Sequence, residues 1–469
     1  MLLLMLLSGA TVGAQAADGA VDPFVLFRAP SIALVHAQLI DGTGAPIRDD
    51  QTVIIRGERI TAVGDFATTP VPQDALLRDL KGAALAPGLV LLHEHLFYPL
   101  ARAPNNYGST FGSFPALYLA GGVTLMRTAG SLSPYADLNT RRDIDAGAAL
   151  GPDIDVTAPY IEGNARVIEQ LVRLESPADA ERLVDYWAKA GTTSYKGYMH
   201  LTRAQLAAAI RAAHAHGQKI TAHLCSITYA EAAELGIDNL EHGFAVASDF
   251  VADKRPDDCP AGDTVGQSLD ALAVDDPRMP QLQQRLLAKH VAITSTLTVF
   301  ETFAFGRPMA PAGALELLIP QLREQYVAGY SRIAGGGPNL WSRVLAKDMV
   351  WEKQFHDAGG LLVAGTDPTG YGGVVPGYSA MRQVELLIEA GFEVPEAFRI
   401  VSLNGAIYLG REASVGSVAA GKRADLVAFA KPLDAKTTKL PEIAWTMKAG
   451  TAFDRAAILA SWRGRVGLQ

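Results

Sequence analysis

The sequence predicts an α/β chain built as a (β/α)8 TIM barrel, with a small β-sandwich domain formed from both chain ends. Three observations carry this. Eight short apolar runs alternate with helical patterns through the middle of the chain. Further β-type runs are confined to the two ends. Side chains that bear chemistry stand at the C-terminal tips of the central runs.

The first β-type runs are Ile32 to Leu39, Gln51 to Ile55 and Arg59 to Val63, with Gly57-Glu58 placed as a hairpin turn between the last two. Val415 to Val418 and Ala424 to Phe429 supply similar material at the other end. Residues 17–84 and 412–469 are therefore expected to form the small domain, and 85–411 the barrel. The barrel strands are read at Gly88–Leu92, Val123–Arg127, Ile154–Thr157, Thr193–Gly197, Lys219–Ala222, Asn239–Glu241, Ala292–Thr296 and Leu361–Gly365. Thr202 to His216 is a clear helix: Thr202 can cap it, Ala and Leu fill it, and Gly217 ends it. Ala178–Ala190 before Gly191 and Ala380–Ala390 before Gly391 are two more. The links after the sixth and seventh strands are long, and long segments on that face cover or shape a site.

Composition excludes several functions. Of 469 residues, 49% are hydrophobic and 19% charged, which is incompatible with a disordered chain. Lys+Arg number 41 against 49 Asp+Glu, a net charge of −8, so nucleic acid is not an expected partner. Met1 to Leu7 is almost wholly apolar, Ser8 to Gly13 turns small and polar, and Ala14-Gln15-Ala16 is an A-x-A cleavage pattern. Residues 1–16 are read as a signal peptide, although no Lys or Arg precedes the apolar run. The mature protein is then expected in a periplasm or outside the cell, with no membrane partner after cleavage. Cys225 and Cys259 are the only cysteines. An exported chain can pair them, and two unlinked thiols are the alternative.

The chemistry begins at His93 and His95. On a strand, residues two apart face the same way, so both imidazoles can reach one metal ion. Lys196 follows the fourth strand, His223 the fifth, His242 the sixth and Asp367 the eighth. A barrel gathers residues at these tips around one point. Tyr198 and His200 lie close behind Lys196 and are candidates to hold a substrate. Arg127 could bind a substrate carboxylate or tie its strand to a neighbour. Tyr98 is a candidate pocket residue, and Lys254 and Arg255 are either carboxylate binders or, more simply, a solvated charge pair. His214 and His216, at a helix end, read as dipole partners, and His36, His290 and His356 as structural. Gly416 to Lys422 imitates a phosphate-binding loop, but Arg423 replaces the required Ser or Thr and no strand–loop–helix context follows.

On these residues the chain resembles the amidohydrolase superfamily. Ala86-Pro87-Gly88-Leu89 before His93-Glu94-His95 resembles its first-strand motif. Gly121-Gly122-Val123-Thr124 with Arg127 resembles its second strand, and Gly421-Lys422-Arg423-Ala424-Asp425-Leu426-Val427 its return to the β domain. Within the superfamily it is most similar to the group of imidazolonepropionase-like proteins, Xaa-Pro dipeptidases and ochratoxin-hydrolysing amidases. The resemblance implies two divalent ions, expected to be zinc. His93, His95 and Asp367 would hold one and His223 and His242 the other, with Lys196, carboxylated by CO2, as the bridge. It implies attack by a metal-bridging hydroxide on a small-molecule amide: a dipeptide, an N-acyl amino acid or an ochratoxin-like compound. Asp367 would be the general base. A homo-oligomer is also expected by analogy. A one-metal deaminase or imidazolonepropionase-like hydrolase is disfavoured, because Lys196 is present and no acid follows His223 closely. An ester or lactone substrate stays open, as does a metal-free, non-enzymatic binding protein.

Overall fold

The computed structural model describes residues 21–467, apart from 104, 164, 166 and 435. Residues 1–16, read from the sequence as a signal peptide, lie outside the described residues.

All eight central runs form strands: β1 (Leu89–Glu94), β2 (Val123–Thr128), β3 (Asp153–Asp155), β4 (Ser194–Gly197), β5 (Lys219–Ala222), β6 (Asn239–Glu241), β7 (Ala292–Ser295) and β8 (Leu362–Ala364). They pair in parallel as two arcs, β3-β2-β1 and β4-β5-β6-β7-β8. Just past β3 the chain bridges to β4 through Thr157 and Ser194, with Ala158 N donating to Ser194 O. At the other seam, Thr366 N and Asp367 N both donate to His93 O. That approach needs Gly365, because a Cβ there would lie 2.3 Å from the His93 Cβ.

The helix after β4, α1 (Arg203–Ala215), begins where the sequence places its cap. Thr202 Oγ1 accepts from Gln205 N at 3.2 Å, and the Gln205 side chain returns a bond to Thr202 N. The long links carry helices of their own. Thr264–Ala271 and Arg278–Ala288 follow β6, while α2 (Leu297–Phe303) and α3 (Leu340–Asp357) are among those that follow β7.

The small domain is one continuous nine-stranded sheet around its own apolar core rather than two separate sheets. Both chain ends enter it: Val25–Phe27 pairs with Thr451–Asp454, and Ala84–Pro87 with Leu426–Phe429. The expected boundary at residue 85 thus falls inside a strand of this sheet. The Gly57-Glu58 turn joins Arg48–Arg56 to Arg59–Asp65 as expected. One expected strand is absent: Val415 to Val418 is a turn. Gly416 sits at φ +85° against Ala406 and Leu403. Val415 packs beneath the barrel while Val418 enters the small-domain core, so the apolar residues serve two cores and no ladder forms. The segment imitating a phosphate loop is spent on itself, with Lys422 Nζ donating to Ser417 Oγ at 2.5 Å and to Val415 O at 3.3 Å.

Candidate metal centre

Five strand tips deliver six polar groups to the same point: β1 gives His93 and His95, β4 Lys196, β5 His223, β6 His242 and β8 Asp367. His95 Nε2 lies 3.2 Å from Asp367 Oδ1, and His93 Nε2 lies 3.7 Å from Asp367 Oδ2. Lys196 Nζ is 3.2 Å from His93 Nε2. The His242 ring is 4.6 Å from the His93 ring and 4.4 Å from the His223 ring, centroid to centroid. His242 and Asp367 adopt φ of 72° and 51°, a left-handed backbone uncommon outside glycine. That conformation turns both side chains inward at the ends of their strands and is the kind of strain that gathers at functional sites.

The donor set suits metal ions. His93, His95 and Asp367 place one ligand atom each within 4.8 Å of one another, and all three are buried. Among the described residues, Asp367 Oδ1 and His95 Nδ1 are buried without a hydrogen-bond partner. Burial lowers the pKa of His95 to about 4, so its imidazole is neutral and able to ligate. Burial, helped by the Lys196 charge, lowers His223 to about 3, and burial beside the other imidazoles holds His242 well below its usual range. Burial alone would raise the Asp367 carboxyl, but His93, His95 and His242 together hold it well below the usual carboxylate range. Burial also lowers Lys196 to about 8, against the pull of Glu241 and Asp367.

A second layer of contacts holds the histidines. Glu241 Oε2 accepts from His93 Nδ1 at 2.7 Å, which leaves His93 Nε2 free to face the centre. Glu241 Oε1 accepts from Arg127 at 2.7 Å and from Thr221 Oγ1 at 2.6 Å. Glu94 accepts from Thr366 N at 2.8 Å and from Thr366 Oγ1 at 2.6 Å, and burial raises its carboxyl to about 8. Thr296 Oγ1 bonds His242 Nδ1 at 2.9 Å. Sequence reasoning missed Glu241, Glu94 and Thr296. The one available signal was an acidic residue beside a ligand histidine inside an apolar strand, at Glu94 and again at Glu241.

Above the cluster is a cavity of about 510 Å³, lined by the six expected ligand positions and by Tyr198 and His200. Glu162, also missed, accepts from His200 N at 2.8 Å and lies 3.3 Å from His200 Nδ1. Two expected pocket residues are elsewhere. Arg127 is buried inside the barrel, donating to Leu92 O, Asn239 Oδ1 and Glu241, so it ties strands together and does not line the cavity. Tyr98 is packed under the loop after β8, where its hydroxyl accepts from Gly373 N at 3.0 Å. Lys254 and Arg255 are absent from the cavity lining too. Lys254 Nζ donates to Ser226 O and Arg255 pairs with Asp258. His214 and His216 pair with Asp238 and Asp185 on the surface. His36 lies against Asp50 and His356 against Asp357, away from the cavity, which His290 does not line either. Cys225 and Cys259 are joined as a disulfide, and both line the cavity.

The family model for the Amidohydrolase family matches residues 84–453. Among solved structures, a provisionally assigned prolidase from Bifidobacterium longum is 25% identical with a TM-score of 0.64, over 93% of this chain and 99% of that one. The ochratoxinase of A. niger is 16% identical with a TM-score of 0.62, over 91% and 96%. A Xaa-Pro dipeptidase with methionine bound in its active site is 16% identical with a TM-score of 0.65, over 90% and 100%. The last two likenesses concern the fold. Among curated proteins, no sequence is significantly similar to this chain.

Proposed function

The chain belongs to the amidohydrolase family, and from that premise we propose that it is an exported hydrolase that cleaves a carbon–nitrogen amide bond with two zinc ions. The convergence of His93, His95, Lys196, His223, His242 and Asp367 beneath one cavity carries this reading. His93, His95 and Asp367 would hold the first ion and His223 and His242 the second. Lys196 points into the cluster from a fully buried position. As an ammonium it would repel two cations and as a neutral amine it has one lone pair, whereas as a carbamate it would be an anion with two oxygens, able to serve both. The neutral amine, favoured by burial, is the form that adds CO2. When bound, the ions supply Lewis acidity that polarises the scissile carbonyl and lowers the pKa of a water.

The chain's own groups do the rest. Asp367, kept ionised by the imidazoles around it, takes a proton from the attacking water at its Oδ and passes it to the departing amine nitrogen. Glu241 fixes the His93 tautomer. Tyr198 and His200 face the cavity, and Glu162 orients His200, so this pair would hold the substrate beside the reacting bond. The disulfide suits an oxidising compartment, which supports export.

Elemental mass spectrometry of the purified protein, joined to a screen of dipeptides and N-acyl amino acids, tests the proposal. About two ions per chain, with turnover of an amide, is the expected result. About one ion with turnover of a heterocycle would replace it with a one-metal deaminase, and no ion after growth with zinc would leave a binding protein. Light scattering of the same sample tests the proposed homo-oligomer.

A further inference from the structure

The cavity over the cluster is lined by Tyr107, Tyr160, Tyr198 and His200, with Ile168 packed among the tyrosines, and by a wall of aromatic carbon. Phe300 meets the His242 ring edge-on at 5.7 Å, Trp341 lies 5.5 Å from Phe300, and Phe303 lies 6.2 Å from Trp341, measured between ring centroids. Val265 completes this wall. It is assembled from α2, from α3 and from the segment that follows Cys259, which the disulfide anchors two residues beyond His223.

These apolar residues are not used up by the core. Phe303, Trp341 and Val265 are only partly buried, and their free surface opens into the cavity. Apolar surface gathered in a cleft, with a few polar groups opposite, is the form of a site that takes an apolar group in a fixed orientation. Because Phe300 touches a residue of the ligand cluster, the group it would cover must sit within a bond or two of the reacting carbonyl.

We infer that the substrate amide carries a bulky apolar substituent, an aryl or branched alkyl group, beside the scissile bond, seated on Phe300, Phe303, Trp341 and Val265. The disulfide-anchored segment forms the outer wall that sets the size of this group. The inference rests on the proposed amide hydrolysis and names its substrate class.

The test uses the metal-loaded full chain and matched pairs of N-acyl amides that differ by methyl against phenyl or isobutyl on either side of the bond. The expected result is a preference of at least about tenfold in kcat/KM for the bulky member on one side, since a methylene or more in an apolar pocket is worth about 10–200-fold. Trp341→Ala should reduce that preference to within about threefold of unity by removing the ring that joins Phe300 to Phe303. Val265→Asp, at a partly exposed position, should do the same by setting a carboxylate in the wall, and it covers the case in which Trp341→Ala fails to fold. Equal rates for both members in the wild type, or an undiminished preference in both variants, overturn the inference. If no amide is cleaved, the proposed function falls, and calorimetric titration with benzamide and acetamide still decides this point. Benzamide bound about tenfold more tightly than acetamide, with the difference lost in Val265→Asp, supports the apolar site. Equal binding overturns it.

Discussion

Glu241→Gln replaces a single atom, and the structure makes its consequence specific. Glu241 Oε1 accepts two bonds, from Arg127 and Thr221, while Oε2 accepts one from His93 Nδ1. A glutamine has one oxygen and one NH2 group, and the side with two donors will claim the oxygen. The NH2 group then faces His93 Nδ1, which must become an acceptor and shift its proton to Nε2. That nitrogen lies 3.2 Å from Lys196 Nζ and faces the metal cluster, and a protonated Nε2 cannot ligate. Losing a partner outside the ligand shell lowers metal affinity by about 10–100-fold, and reversing the tautomer places this variant at or beyond the upper end. The Arg127 guanidinium is also left buried without its counter-charge, a change that destabilises by about 3–5 kcal/mol when a buried pair is broken outright. Gln retains the bond to Arg127, so the loss should fall near the lower bound. Zinc affinity by chelator competition and urea unfolding of the zinc-free chain read the two effects separately. Thr221→Val is the control: it removes one bond to Glu241 and should destabilise by about 1 kcal/mol without touching the His93 tautomer or zinc affinity. A Glu241→Gln protein with zinc affinity within twofold of wild type would refute the tautomer argument.

Four other outcomes are expected. Lys196→Ala should lose metal and activity, and a short-chain carboxylic acid should restore part of both; full activity in the variant would eliminate the carbamate. Asp367→Asn should lower turnover by about 10²–10⁴-fold while part of the metal stays bound, and near-normal turnover would move proton transfer to another group. The Cys225–Cys259 bond closes a separation of 34 residues, for which the chain-entropy relation gives a stabilisation of about 4 kcal/mol, so Cys259→Ser should unfold at lower denaturant and no free thiol should titrate in the wild type. Asp137 is buried, and burial raises its carboxyl from 3.8 to about 7. Its contribution to stability is therefore complete below pH 3.8 and is lost as pH rises to about 7. Asp137→Asn should flatten that slope, and an unchanged pH profile of unfolding would show that Asp137 is ionised in the native state.

Much of the centre was legible because its signals are local. Two histidines two residues apart on a strand, and single His, Lys and Asp residues at the ends of apolar runs, are each visible within a short window of the chain. The barrel rule then brings the tips together. Arg127 shows where this stops. Its strand position was read correctly, but its acceptors, Asn239 and Glu241, are more than 110 residues away. Only the closed arrangement of β2 against β6 reveals that its charge is consumed inside the barrel. Tyr98 likewise follows the right strand and is taken up by a loop 275 residues distant.

The sequence by itself determined the order of strands and helices, the cap of α1, the use of both chain ends in one small domain, and the residue types available to hold metal. These follow from apolar periodicity and from short-range spacing, which backbone geometry translates into a face or a tip. The tertiary structure alone decided which acid locks His93, which polar residues reach the cavity, and why Val415 to Val418 is a turn and not a strand. Each of those depends on what packs opposite a side chain. The free energy of a buried charge or a split apolar run is set by distant neighbours, which no local window of the chain contains.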